Sequence, residues 1–101
     1  MKLVLIIDKY VEDSMKKLSI TKEDIEKRMY EVFSYIPEDY DFIDTTINKN
    51  NKIYRIQFGV CEINEDSIKI ECLLLKDPEE KYEGPTIREY HEKTKKEKAV
   101  R

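Results

Sequence analysis

The chain has 101 residues, about the length of one domain, so a single hydrophobic core is expected. Apolar residues make up 40% of it and charged residues 41%, which excludes a wholly disordered chain and predicts a highly charged surface. Two cysteines and one histidine are too few for a disulfide framework or a zinc site, so we expect no metal and no cofactor. The apolar run at residues 1–7 is too short for a signal peptide or a membrane span, which predicts a cytoplasmic protein that does not enter a membrane.

Charge is unevenly distributed along the chain. The net charge is −3, but residues 1–92 carry −7 and residues 93–101 carry +4. An acidic body repels phosphate backbones, so we expect nucleic acid to bind only through the basic tail. The same cations would also complement a helix C-terminus, and both interpretations stay open. We therefore predict one domain over residues 1–92 and a tail over 93–101 that is a frayed helix end or disordered.

The first elements follow from apolar spacing and capping signals. Residues 2–8 are apolar on both faces, which is typical of a strand that has neighbours on both sides. Residues 9–18 repeat apolar side chains at helical spacing and predict a first helix. Thr21, with Asp24 three residues later, forms a capping box that begins a second helix, and Pro37 is expected to end that helix.

Over residues 40–75 the apolar period changes to two, which predicts an antiparallel three-stranded meander. Residues 48–51 (Asn-Lys-Asn-Asn) are expected to form the first turn as a four-residue loop. In that register Asp44 lies opposite Arg55, so that opposite charges pair on the face away from the helices.

A second turn of about three residues, near residues 64–66, keeps the even-numbered apolar side chains from Tyr54 onward on one face. Cys61 and Cys72 then point to opposite faces and stay separate thiols. The face away from the helices is predicted to carry an apolar cluster formed by Gly59, Cys61, Leu73 and Leu75.

Pro85, at a first helical position, is expected to begin a final helix after an acidic loop over residues 77–84. The complete prediction is an α+β fold in the order β-α-α-β-β-β-α, with the meander joined by an N-terminal strand and the helices packed mainly on one face. The apolar stripe of the last helix is thin, so we expect part of the apolar cluster to remain available to a partner.

Two acidic loops and that apolar cluster are the candidate partner-binding surface. Solvated loops of a charged protein are the favoured interpretation of the carboxylates, and imitation of the phosphate array of a nucleic acid is the main alternative. Their spacing does not match a calcium loop. The candidate residues are Glu38, Asp39, Asp41, Glu79, Glu80, Tyr82 and Glu83 in the loops, with Cys61, Leu73 and Leu75 on the sheet.

Residues 52–56 (Lys-Ile-Tyr-Arg-Ile) place an aromatic and a basic residue on a central strand, and Arg88, Tyr90 and His91 follow near the C-terminal end. In these features and in element order the chain resembles the RelE/ParE superfamily of toxins, which are ribosome-dependent ribonucleases or gyrase inhibitors. The resemblance implies Arg55, Arg88, Tyr90 and His91 as ribonuclease-like residues. The chain departs from the family in its acidic body, which lacks the strand lysines and arginines that the family's phosphate chemistry needs.

Our leading hypothesis is a non-enzymatic protein-interaction module, such as an inhibitor or accessory protein of a phage or other mobile element, that acts by surface occlusion through acidic loops. One alternative is a RelE/ParE-like ribonuclease. Another is a structural homodimer joined through the Cys61 and Leu73 face. The sequence contains no constellation of catalytic residues, which favours a role without catalysis.

Overall fold

A computed structural model describes residues 2–34, 37–38 and 41–79 of the chain. This part is a small α+β fold with two helices and a four-stranded mixed sheet. Neither of these two helices is long and apolar enough to cross a membrane. The predicted final helix and the tail lie outside the described residues. The elements in chain order are β1 Lys2–Ile7, α1 Lys9–Leu18, α2 Lys22–Val32, β2 Phe42–Lys49, β3 Lys52–Ile63 and β4 Ser67–Lys76.

The sheet has the strand order β1-β4-β3-β2. Strands β2, β3 and β4 form the predicted antiparallel meander, and β1 pairs with β4 in parallel. Although β1 was predicted to have neighbours on both sides, it pairs with β4 alone in the part of the chain that the structure describes. This position agrees with its partial burial, since only Leu3 and Leu5 of β1 are buried.

The helix starts follow the predicted local chemistry. Asp8 caps α1, because its Oδ1 accepts a hydrogen bond of 2.9 Å from the backbone N–H of Val11. The predicted capping box of α2 is confirmed in both directions. The hydroxyl of Thr21 accepts from the N–H of Asp24 at 3.1 Å, and the carboxylate of Asp24 accepts from the N–H of Thr21 at 2.9 Å.

Helix α2 ends at Val32, earlier than the predicted end near Pro37. Phe33 leaves helical geometry with φ −99° and ψ 59°, and its ring packs edge-on against Phe58 with the centroids 6.2 Å apart. The prediction was wrong because it relied on the proline, whereas the helix ends where an aromatic side chain packs into the core.

The predicted four-residue turn between β2 and β3 is wrong. The turn consists of Asn50 and Asn51 alone, with φ of 53° and 63°. Two left-handed residues make the tight hairpin connection whose twist matches that of the strands, and asparagine tolerates this conformation. The register shifts by two residues, so Asp44 lies opposite Gln57 rather than Arg55. Because the shift is even, each side chain keeps its predicted face.

The second turn spans the three residues predicted, 64–66, but the β3–β4 register is interrupted twice. Leu73 is an extra residue in β4, and Cys61 is an extra residue in β3. The bulge at Leu73 reverses the side-chain alternation beyond it. Leu75 therefore lies opposite Ile56 and belongs to the core, so its predicted place on the other face is wrong. Leu74, opposite the buried Gln57, lies on that other face instead.

One hydrophobic cluster joins both helices to the sheet. Phe58 and Ile70 are fully buried in it, as predicted, together with Val11 of α1 and Met29 of α2. Hydrophobic burial of this row is the main stabilising contribution, because each large side chain contributes about 1.5–3 kcal/mol.

Replacing Phe58 should test this core. We expect Phe58→Ala to lower the free energy of unfolding by about 3–5 kcal/mol, since the change removes a ring and leaves a cavity. Ile53→Ala is the matched control, because Ile53 lies on the same strand with 56% of its surface exposed. The control should change stability by less than about 0.5 kcal/mol. Urea unfolding measures both values, and equal losses would contradict the assignment of the core.

Candidate interaction surfaces

Arg55, the central residue of the ribonuclease-like set, is bound to an acidic neighbour. Its Nε and one terminal nitrogen donate hydrogen bonds of 3.2 and 2.7 Å to the two carboxylate oxygens of Asp44. The contact is diagonal across the strands because the register moved by two residues. The Arg55 hydrogen bond, with a smaller contribution from Gln57, lowers the pKa of the Asp44 carboxyl. The positive charge of Arg55 is therefore compensated within the sheet.

The two lysines that flank the β2–β3 turn are also paired with carboxylates. Lys49 Nζ lies 2.8 Å from Asp24 Oδ2, which ties the hairpin to the start of α2. Lys52 pairs with Asp77, just after the end of β4, and its ammonium lies 5.5 Å from the centre of the Tyr54 ring. These hydrogen bonds lower the pKa values of the two carboxyls.

The described parts of the two predicted acidic loops differ in how they use their carboxylates. In the first loop, the N–H of Glu38 donates to Asp41 Oδ2 at 2.8 Å, and the N–H of Asp41 donates to the carbonyl of Glu38 at 3.1 Å. Asp41 therefore stabilises the turn in which it lies, while the side chain of Glu38 is exposed. In the second loop, Asp77 accepts from the N–H of Glu79 at 3.1 Å, and Glu79 is exposed. The remaining predicted loop residues, Asp39, Glu80, Tyr82 and Glu83, lie outside the described residues.

The described residues of the two acidic loops lie at opposite ends of the sheet. Asp41 accepts a hydrogen bond from the N–H of Val60, whereas Asp77 directly follows Lys76, which pairs with Arg55. Val60 and Arg55 are five residues apart on β3. At about 3.3 Å per residue, plus the spacing of the strands, Asp41 and Asp77 are about 20 Å apart. The described residues of the two loops therefore do not form one compact acidic site.

The face of the sheet that was predicted to carry the apolar cluster is partly buried. Gln57 and Leu74 have only 5% and 3% of their surfaces exposed, while Cys61 and Leu73, at the two bulges, are half-buried. The Cys61 thiol donates to the carbonyl of Lys69 at 3.3 Å. The structure thus keeps Cys61 and Leu73 accessible near the bulges but moves Leu75 to the core.

The two cysteines are separate thiols, as predicted. Burial raises the pKa of Cys72 to about 12, and burial together with the negative charge of Glu71 raises the pKa of Cys61. Both thiols are therefore protonated near neutral pH, and the nucleophilic thiolate is disfavoured.

A cleft between α2 and the outward edge of β2 was not anticipated from the sequence. It encloses about 320 Å³. Arg28 crosses it, since its Nε donates to the carbonyl of Thr46 at 2.8 Å and one terminal nitrogen donates to the hydroxyl of Thr45 at 2.9 Å. The one available signal is that residue 28 lies beside the apolar stripe of α2, where a long side chain can reach the edge of a sheet. The lining residues are Asp24, Lys27, Arg28, Glu31, Thr46, Ile47 and Asn48.

Arg55 is the only member of the ribonuclease-like set that the structure describes, and Arg88, Tyr90 and His91 lie outside the described residues. Within residues 2–34, 37–38 and 41–79, no group of three or more histidine, cysteine or acidic side chains is arranged to hold a metal ion. Comparisons with protein-family models, curated proteins and solved structures gave no match to the chain.

The paired carboxylates predict a loss of stability in acid. The pKa values of Asp24, Asp44 and Asp77 are lowered from 3.8 in the folded chain, so their stabilisation is complete above that pH and is lost as the pH falls below it. We expect the free energy of unfolding, measured with urea, to decrease below about pH 4. Asp44→Asn should show a shallower decrease over the same range, and an unchanged decrease would contradict the Arg55 contact.

Thiol chemistry tests the burial of Cys72. In a Cys61→Ser variant at pH 8, we expect the remaining thiol to react with an aromatic disulfide reagent only as fast as the chain unfolds, because the buried thiol is protonated and inaccessible. The reaction should become immediate in denaturant. Rapid reaction of Cys72 in the native chain would show that the meander is open at this position.

Proposed function

We propose that the chain is a small non-enzymatic interaction module that occludes a basic surface of a partner protein with acidic loops at the two ends of its sheet. The observation that carries this proposal is the asymmetric use of charge. Arg55, Lys49 and Lys52 of β2 and β3 are each paired with a carboxylate, whereas Glu38 and Glu79 of the loops are exposed to solvent. An inhibitor or accessory protein of a phage or other mobile element, acting in the cytoplasm, would work in this way.

The internal pairing of cations favours binding over phosphate chemistry. Arg55 is held by Asp44, Lys49 by Asp24 and Lys52 by Asp77. An anionic substrate would have to displace each of these carboxylates before it could use the cation. This cost weighs against the ribonuclease alternative for the described surface.

The exposed carboxylates are available to a basic protein. Glu38 and Glu79 are exposed in the two predicted loops, and Glu65 and Asp66 are exposed in the turn between β3 and β4. Among the described residues, none of these four side chains forms an ion pair. Exposed charges of one sign steer association and select a partner of the opposite sign.

The distance between the loops indicates the size of the partner. A small molecule does not bridge about 20 Å of extended strand, whereas a protein interface of about 800 Å² on each side does so readily. We therefore propose that a folded protein binds along the length of the sheet rather than at one loop.

Matched charge variants test this proposal. Glu38→Gln with Glu79→Gln removes two loop charges, and Asp13→Asn with Glu26→Gln removes two exposed charges from the helices. The immobilised wild-type chain should retain a basic protein from host extract at about 50 mM salt and lose most of it at about 300 mM, because the contact is electrostatic. The loop variant should lose this protein, and the helix variant should retain it.

Equal retention by both variants would refute the role of the loops, and no retention by the wild-type chain would refute the proposed function. Growth of cells that express the chain distinguishes the ribonuclease alternative from the proposed interaction module. That alternative predicts growth arrest that Arg55→Ala and His91→Ala abolish, whereas an occluding module without nuclease activity causes no cleavage of messenger RNA during translation.

A further inference from the structure

Side chains of helix α2 form hydrogen bonds with both outermost strands of the described sheet. Arg28 donates to the carbonyl of Thr46 on β2, and the hydroxyl of Tyr30 donates to the carbonyl of Leu3 on β1 at 3.2 Å. Residues two positions apart on a helix point about 200° apart, so one helix that lies across the sheet can reach both edges. We use the term edge cap for a side chain that donates a hydrogen bond to a backbone carbonyl that points away from the sheet.

The hydrogen-bond pattern shows which backbone groups of β2 point outward. The N–H of Val60 donates to the carbonyl of Asp41, next to the start of β2. In an antiparallel pair the backbone groups alternate between the partner strand and the outside. The N–H and C=O groups of Asp44, Thr46 and Asn48 therefore point away from β3, and the Arg28 contact to Thr46 agrees with this assignment.

A row of outward-pointing N–H and C=O groups of this kind can form hydrogen bonds with another strand. The segment is self-complementary in an antiparallel arrangement with Thr46 opposite Thr46 of a second copy. In that register Asp44 lies opposite Asn48 and Thr45 lies opposite Ile47, so no like charges face each other. The charge of Asp44 is also compensated within its own sheet by Arg55.

We propose that Arg28 is the edge cap that prevents β2 from pairing with β2 of a second copy of this chain. Its two hydrogen bonds occupy the central carbonyl and the neighbouring hydroxyl, so an incoming strand must first displace the guanidinium. The same side chain crosses the cleft between α2 and β2, where side chains of an added strand would lie. This proposal rests on the fold and not on the proposed partner.

Arg28→Ala is the direct test, with Lys27→Ala as the matched control. Both changes remove one positive charge from exposed or half-exposed positions on α2, but only the first removes the cap. In sedimentation velocity over the micromolar range, we expect Arg28→Ala to dimerise at least about tenfold more tightly than the wild-type chain. Lys27→Ala should behave like the wild-type chain.

A second substitution separates strand pairing from other association. Thr46→Pro removes the outward N–H without removing a bond to β3, and proline is tolerated at the edge of a sheet. Adding it to Arg28→Ala should abolish the dimer. Arg28→Met keeps an aliphatic side chain but has no hydrogen-bond donor, so it should dimerise like Arg28→Ala. It replaces Arg28→Ala in the test if the alanine variant does not fold.

Three results would each overturn the proposal. The first is a folded Arg28→Ala or Arg28→Met variant that stays as monomeric as the wild-type chain. The second is equal dimerisation of Lys27→Ala, because charge rather than the cap would then control association. The third is a dimer that persists after Thr46→Pro, because that dimer would use another surface.

Discussion

The carboxylate of Asp24 fixes where α2 begins and links that point to the β2–β3 hairpin. One of its oxygens accepts from the N–H of Thr21, which begins the helix, and lies 2.8 Å from the ammonium of Lys49 at the end of β2. A local capping interaction is thereby joined to a contact between residues far apart in the chain. With its start held at the hairpin, α2 crosses the sheet, and Arg28 and Tyr30 reach opposite edges. The hydrophobic cluster lies between the helices and the sheet, and it includes the even-numbered side chains of β3 from Tyr54 to Val60.

Secondary structure was predictable from the sequence where one local signal acts alone. The capping box of α2 involves residues three apart, and the period of two in the meander repeats within each strand. Such signals need no knowledge of the rest of the chain. The end of α2 was not predictable in this way, because Phe33 leaves the helix to meet Phe58, which lies 25 residues later in the sequence.

The consequence of an error in strand register depends on whether the strand is shifted by an odd or an even number of residues. The two-residue error at Asn50 and Asn51 left every side chain of β2 and β3 on its predicted face, and Arg55 still reached Asp44. The one-residue bulge at Leu73 exchanged Leu74 and Leu75 between faces and so altered the candidate surface. The alternation of apolar residues could not reveal this bulge, because residues 73–75 are three successive leucines and fit either register.

Candidate surfaces depend on which charges pair, and this is the least predictable property of a chain in which 41% of residues are charged. Each cation has many acidic side chains that it could meet, and exposed pairs differ little in free energy. The fold makes the choice, because it brings Lys52 to Asp77 and Arg28 to the edge of β2. The carboxylates left in solvent at the loops are therefore a result of tertiary structure rather than of composition. An acidic sequence can thus present cations that are compensated within the sheet and anions that are exposed to solvent.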